Sequence, residues 1–282
     1  MKIFNTKKDI STFIKTIKDT HKTIGFVPTM GALHEGHGSL IQQSVNENHI
    51  TIVSIFVNPT QFNNSSDLNT YPRTLEDDID LIRTINDSII VFAPNANELY
   101  DGNITSKTYS FDGLEHEMEG KHRQGHFDGV GTIVELLFQL IQPTNAYFGE
   151  KDFQQLQIIR KLVSNYKLDV TIIGCEIFRE ASGLAMSSRN ERLSHTARIE
   201  AAFIHETLIL AKQHFGTKSA IKVEEWVTSQ FTKNKHFTLE YVSIANSDTL
   251  KPVKRKIKHK KYRIFIAAFI DNVRLIDNIA LN

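Results

Sequence analysis

Apolar residues recur along the first 175 positions with two alternating periods. Ile10, Phe13, Ile14 and Ile17 stand at i, i+3, i+4 and i+7, which predicts an amphipathic helix over residues 7 to 20. Thr23 to Pro28 reads as a buried strand ended by the proline, and Gly38 to Val45 returns to helical spacing. Ile50 to Val57 is an unbroken apolar and β-branched run, suited to a strand covered on both faces. Leu75 to Ile82 predicts a helix with Thr74 as N-cap and Asp77 at the capping-box position. Ser88 to Pro94 is a third strand, Gly129 to Gln142 a strongly apolar helix, Asn145 to Phe148 a fourth strand and Val170 to Cys175 a fifth. Between them, residues 95 to 128 lack apolar periodicity, apart from a short strand expected at Tyr109-Ser110-Phe111. Alternating strands and helices predict an α/β parallel sheet with right-handed crossovers.

The pattern then changes. Helices are expected at about 194 to 215 and 219 to 232, followed by strands at Phe237 to Ile244, Tyr262 to Ile270 and Val273 to Asp277, with Asp271-Asn272 as a tight hairpin turn. A domain boundary near residue 176 follows, giving domains 1–176 and 177–282. Lys251 to Lys261 holds seven Lys or Arg residues. No aromatic is interleaved and the whole chain carries a net charge of only +1, so the run reads as a solvated connection between strands and no nucleic-acid partner is expected. Composition is that of a soluble globular protein, 40% apolar and 23% charged. Met1 to Asn5 lacks the features of a secretory signal and no run of about 18 apolar residues occurs, so no membrane partner and a cytoplasmic location are expected. The lone Cys175 excludes an intrachain disulfide and, at a strand end, reads as packing.

Chemistry concentrates at strand-to-helix turns, since ligands in such sheets lie beyond the carboxyl ends of the strands. After the first of these strands comes Pro28-Thr29-Met30-Gly31-Ala32-Leu33-His34-Glu35-Gly36-His37. His34 and His37 share one face of a helical turn whose unpaired N–H groups suit an anion. Two histidines without a third ligand do not make a zinc site. Asn58 and Gln61 emerge at the end of the next strand, where a turn explains Asn58 but not Gln61. In Gly149-Glu150-Lys151-Asp152-Phe153-Gln154-Gln155, Lys151 is placed to meet phosphate. In Phe178 to Asn190, small and hydroxyl residues beside Arg179 and Arg189 suit a triphosphate. A polar, glycine-containing stretch as long as 115 to 127 is usually functional or disordered, and if functional it is expected to close over a site.

These segments, with Tyr71-Pro72-Arg73-Thr74, Gly125-His126-Phe127-Asp128-Gly129-Val130, Met186-Ser187-Ser188-Arg189-Asn190 and Arg274-Leu275-Ile276-Asp277-Asn278, resemble the pantoate-beta-alanine ligases in family order along the whole chain. Gly38 departs from the usual Leu, loosening the first helical turn by roughly 1 kcal/mol, and Gln124 departs from the usual Pro. The resemblance implies a Rossmann-like parallel-sheet N-terminal domain that binds nucleotide and pantoate, with a smaller α+β C-terminal domain covering the active site. It implies an ATP-dependent ligase that joins (R)-pantoate to β-alanine through a pantoyl adenylate, releasing AMP and pyrophosphate. The implied ATP site comprises Met30, Gly31, Ala32, Leu33, His34, Glu35, Gly36, His37, Gly149, Glu150, Lys151, Asp152, Phe178, Met186, Ser187, Ser188 and Arg189. Among these, His37, His34, Lys151, Ser187 and Arg189 are the implied catalytic residues. Gln61, Gln155 and Asn58 would hold pantoate, with Gln61 also at the β-alanine position. Mg²⁺ is the implied cofactor, with Asp77 as its candidate ligand, and the implied assembly is a homodimer. The rival readings are a nucleotidyltransferase of the same fold that stops at adenylyl transfer, and a non-catalytic binder built on the scaffold.

Overall fold

The computed structural model describes residues 1–18, 20–63 and 65–282. The chain divides into two compact units, the first made of Met1–Glu115, Glu119–Glu150 and Gln155–Glu176, the second of His116–Met118, Lys151–Gln154 and Ile177–Asn282.

Up to Glu176 the elements run β1 (Lys2–Phe4), α1 (Lys7–Lys18), β2 (Ile24–Thr29), α2 (Glu35–Glu47), β3 (Ile50–Ile55), α3 (Ser65–Thr70), α4 (Leu75–Ile85), β4 (Ile90–Phe92), α5 (Ala96–Tyr100), α6 (Met118–His122), α7 (His126–Ile141), β5 (Asn145–Gly149), α8 (Phe153–Tyr166) and β6 (Thr171–Cys175). Of the helix predicted over 7 to 20, Asp19 lies outside the described residues. Among the described residues the strands form one parallel sheet in the order β1-β4-β3-β2-β5-β6. The expectation of a parallel α/β sheet holds, with β1 added: three edge residues are too few for a period to register. From β2 the chain steps to β3 on one side, whereas β5 lies on the other. The strand order therefore reverses at β2, and sheets of this kind bind ligands at such a reversal, beyond the carboxyl ends of the strands.

Packing follows the predicted periods. Val27, Val53, Val91 and Tyr147 from four strands bury against Ile41 of α2 and Ile82 of α4. Helix α7 is apolar nearly all round and buried along its length. Tyr109 and Phe111, expected in a short strand, join no ladder. The Tyr109 N–H donates instead to the Asp128 carboxylate at 2.9 Å, and the two rings stack 5.5 Å apart as core. Aromatic content there reports burial, not strand pairing. The polar stretch after Phe111 is a 3₁₀ turn at Leu114–His116 followed by α6.

The second unit holds α9 (His195–Glu200), α10 (Ala202–Thr217), α11 (Ala220–Lys233), β7 (Thr238–Asn246), β8 (Tyr262–Ile270) and β9 (Val273–Ala280). The single helix expected at 194 to 215 is thus two, meeting at buried Ala201. Strands β7, β8 and β9 form an antiparallel sheet whose Ile264 and Ile266 share a core with Leu208, Phe215, Val223 and Val227 of the helices. Asp271 and Asn272 have φ of 48° and 59°, the two left-handed residues a two-residue hairpin requires. The basic run connects β7 to β8 and is largely exposed, with the Lys256 ammonium on the Gly216 carbonyl oxygen at 3.1 Å.

Candidate active site

Strand β2 ends where Thr29 donates its hydroxyl to the Ser54 carbonyl oxygen at 2.7 Å and accepts the Gly31 N–H at 3.3 Å. The chain then turns through Gly31 at φ 79° and Ala32 at φ 49°. A left-handed alanine costs about 1–2 kcal/mol, so the turn needs an external hold. Asp78 of α4 supplies it. Its carboxylate accepts the Leu33 N–H at 2.7 Å, the Ala32 N–H at 3.1 Å and the Thr74 hydroxyl at 3.3 Å. A Cβ on Gly31 would lie 2.9 Å from Asp78 Oδ2, so this approach requires glycine there. Asp78 is 2% exposed. Burial raises its pKa above the ordinary 3.8, while the Leu33 and Ala32 N–H groups and the Thr74 hydroxyl pull it back.

The start of α4 therefore differs from expectation. Thr74 makes no side-chain cap, and Asp77 is exposed in the first turn. The carboxylate with structural consequence is Asp78, four residues before buried Ile82 on the same face. That spacing was the available signal, hidden because first-turn acids have a sufficient explanation in the helix dipole. Among the described residues no three His, Cys, Asp or Glu side chains gather to hold a metal ion.

Helix α2 opens on the histidine pair. The His34 N–H donates to His37 Nδ1 at 3.3 Å, and the rings lie 4.1 Å apart. With Nδ1 acting as acceptor, the neutral tautomer of His37 carries its proton on Nε2. The helix N-terminus adds N–H groups and a positive dipole end, a ready site for an anion. Met30, Ala32, Leu33, His34 and His37 are half-buried, Gly31 and Gly36 buried, and Glu35 exposed. One turn of chain brings the expected nucleotide-binding stretch together.

At the end of β3, Asn58 caps a 3₁₀ turn, Pro59–Gln61. Asn58 is 1% exposed and Gln61 8%. Asn58 Nδ2 donates to Gln61 Oε1 at 3.2 Å and to the Gly129 carbonyl oxygen at 3.1 Å. Its Oδ1 accepts the Tyr100 hydroxyl at 2.6 Å, the Thr60 hydroxyl at 3.0 Å and the Thr60 N–H at 3.4 Å. Both Asn58 N–H bonds are spent. Gln61 Nε2 points to Met30 Sδ at 2.7 Å, linking the two strand ends, and His126 Nδ1 meets the Gln61 carbonyl oxygen at 2.8 Å. Tyr100 escaped the sequence reading, and His126 and Gly129 entered it only within the Gly125 to Val130 segment of the resemblance, with no role at the site; Gly129 also stands out as a glycine within an apolar helix.

Gly149 ends β5, the other strand at the reversal, Glu150 opens the 3₁₀ turn after it, and half-buried Gln155 follows in the first unit. In the second unit, the Lys151 ammonium lies 3.7 Å from Asp152, and its carbonyl oxygen accepts Asn278 Nδ2 at 2.9 Å. Phe178 is exposed, and the chain from it folds back on itself through Gly183, with the Met186 N–H on the Phe178 carbonyl oxygen at 3.0 Å. Arg179, expected beside a triphosphate, is instead locked bidentate on buried Asp277 at 2.7 and 2.9 Å. Asn190 Nδ2 bonds Glu180 at 2.9 Å and the Ala185 carbonyl oxygen at 3.2 Å, and Arg198 holds Glu180 at 3.1 Å. This bracing presents half-buried Met186, Ser187, Ser188 and Arg189, with Ser187 Oγ accepting the Arg189 N–H at 3.3 Å.

Residues 2–280 match the pantoate-beta-alanine ligase family. The chain is 57% identical to the pantothenate synthetase of Flavobacterium psychrophilum and 56% to that of Christiangramia forsetii, with all of both chains covered in each case. Among solved structures, pantothenate synthetase from Thermus thermophilus is 34% identical with a TM-score of 0.91, covering 100% of this chain and 99% of that one. The pantoate-beta-alanine ligase from Francisella tularensis, complexed with beta-gamma ATP and beta-alanine, is 37% identical with a TM-score of 0.81, covering 100% and 98%.

Proposed function

The chain belongs to the pantoate-beta-alanine ligase family, and we infer on that premise that it condenses pantoate with β-alanine to pantothenate while ATP is split to AMP and pyrophosphate. A carboxylate is a poor acylating agent. In the proposed route a pantoate carboxylate oxygen attacks the α-phosphorus of ATP, the bond to the bridging oxygen breaks and pyrophosphate leaves. The neutral β-alanine amine then attacks the acyl carbon, AMP departs with the oxygen that joined it to the acyl group, and the amine proton is lost.

The observation that carries this reading is the hydrogen bond from the His34 N–H to His37 Nδ1, because it fixes the imidazole at the head of α2 with Nε2 as the ring nitrogen that carries a proton and acts as donor. That donor meets negative charge building towards pyrophosphate. Preorganised donors of this kind are worth about 10²–10³ in rate each. We assign the remaining phosphate contacts to Lys151, Ser187, Ser188 and Arg189. At about 4 Å a unit charge pair such as Lys151 with phosphate is worth on the order of 4 kcal/mol at an effective dielectric near 20. Gln61 and Gln155 are assigned to pantoate, and Gln61 also to β-alanine.

Mg²⁺ belongs to the nucleotide in this reading. Asp78 spends its oxygens on Leu33, Ala32 and Thr74, Asp77 stands exposed, and Mg²⁺ keeps its waters and binds through substrate phosphates more readily than through a protein cage. A homodimer and a cytoplasmic location complete the proposal. The deciding experiment follows AMP and pyrophosphate from MgATP with pantoate alone, with β-alanine alone and with both. Sustained AMP release only with both acids supports the ligase. Release that ignores the amine supports adenylyl transfer alone.

A further inference from the structure

We propose that Asn58 is a positioning residue that fixes the polarity of the Gln61 amide, so that Gln61 meets its substrate as a hydrogen-bond donor; the proposal rests on the assignment of Gln61 to pantoate. An amide side chain can be turned end for end, and its surroundings decide which end faces where. Two backbone groups decide it for Asn58. The Gly129 carbonyl oxygen, 3.1 Å away, can only accept, so the atom facing it is Nδ2; the Thr60 N–H, on the other end, can only donate. The Tyr100 hydroxyl at 2.6 Å and the Thr60 hydroxyl at 3.0 Å add donors to the same Oδ1. The second Asn58 N–H must then go to Gln61, at 3.2 Å, and takes its Oε1. Gln61 Nε2 is left facing Met30 Sδ at 2.7 Å, a weak acceptor that occupies only one of its two protons.

The relay depends on helix α7 lying directly on the 59–61 turn. A Cβ on Gly129 would sit 2.3 Å from the Thr60 carbonyl oxygen and 2.6 Å from Gln61 Cα, so only glycine brings the Gly129 carbonyl oxygen within reach of Asn58. A Gln61 held this way recognises an acceptor: a carboxylate, carbonyl or hydroxyl oxygen of a small hydroxy acid. It rejects a group that can only donate. Asn58 itself has no N–H left for the substrate, so in this proposal it is set apart from the pantoate contacts that the family resemblance implies.

Two isosteric variants test this. Gln61→Glu keeps an oxygen for Asn58 and replaces the outward N–H by a second acceptor; loss of a hydrogen bond to a charged group raises the KM for pantoate about 10-fold to 100-fold, with the KM for ATP unchanged within about twofold. Asn58→Asp takes away both N–H groups and frees Gln61 to turn, which raises the pantoate KM in the same selective way. If Asn58→Asp does not fold, Tyr100→Phe reads the relay through a smaller rise, about threefold, again confined to pantoate. A pantoate KM unchanged in Gln61→Glu overturns the donor assignment. Equal rises in both KM values, or no rise in the Asn58 or Tyr100 variant, overturn the relay and leave a structural role. Wild type assayed alongside separates the two layers: if it forms no pantothenate, the functional reading fails and not the relay alone.

Discussion

Replacing Asp78 by Asn isolates what the buried carboxylate does for the turn that leads into the histidine helix. The asparagine oxygen can keep the Leu33 N–H, but its amide group then faces the Ala32 N–H donor to donor, where the carboxylate now accepts at 3.1 Å. An orphaned buried N–H costs about 1–3 kcal/mol, and part of this is offset because a carboxylate no longer has to be desolvated. The net loss of stability is about 1–2 kcal/mol, or roughly 2–4 °C in Tm for a chain of this size. Activity should suffer more. Ala32 at φ 49° has no other hold on its N–H, and a displacement of the order of 1 Å at a catalytic group costs about 10² in rate. Thermal unfolding and pre-steady-state pyrophosphate release would be measured on the same preparation. A variant that loses a few degrees and adenylates within threefold of wild type would refute the argument. Linkage adds a sign. Because burial raises the folded pKa of Asp78 above 3.8, its contribution to stability is full below that value and is lost as pH rises through the folded pKa. Asp78→Asn should remove that downward component from the pH profile of Tm, leaving other groups' contributions in place.

At Gly38 a Cβ would find Ile85 Cδ1 at 3.6 Å and Leu81 Cδ2 at 3.9 Å, ordinary contact, so Gly38→Ala should raise stability by about 1 kcal/mol and Tm by roughly 2 °C in calorimetry. Arg179→Ala strands the buried Asp277 carboxylate and should cost about 3–5 kcal/mol in chemical denaturation; a loss below 1 kcal/mol would show that the bidentate pair adds little to the second unit. Burial pushes the Cys175 thiol up to about 12, so at pH 7 a thiol-specific disulfide reagent should react only as fast as the protein opens, and immediate labelling of native protein would contradict this.

The parallel sheet was legible because fully buried strands and amphipathic helices leave different periods, and the His34 and His37 spacing was legible because both lie within one helical turn. What escaped depends on partners far apart in sequence. Arg179 and Arg189 read alike along the chain, and only Asp277, 98 residues on, takes Arg179 out of phosphate chemistry. Tyr100 carries no local sign of its bond to Asn58, 42 residues earlier. Asp78 and Asp77 are neighbours with opposite fates, since one points into the apolar face that Ile82 defines and the other into solvent. Strand β1 was missed because three edge residues show too little alternation to register.

The adenylate route is the central claim, and pantoate labelled with ¹⁸O in both carboxylate oxygens tests it most directly. Mass spectrometry of the nucleotide product after turnover with ATP and β-alanine should find one ¹⁸O in AMP and none in pyrophosphate, because the attacking oxygen leaves with the phosphorus it joined. Unlabelled AMP, or label in pyrophosphate, would contradict the account.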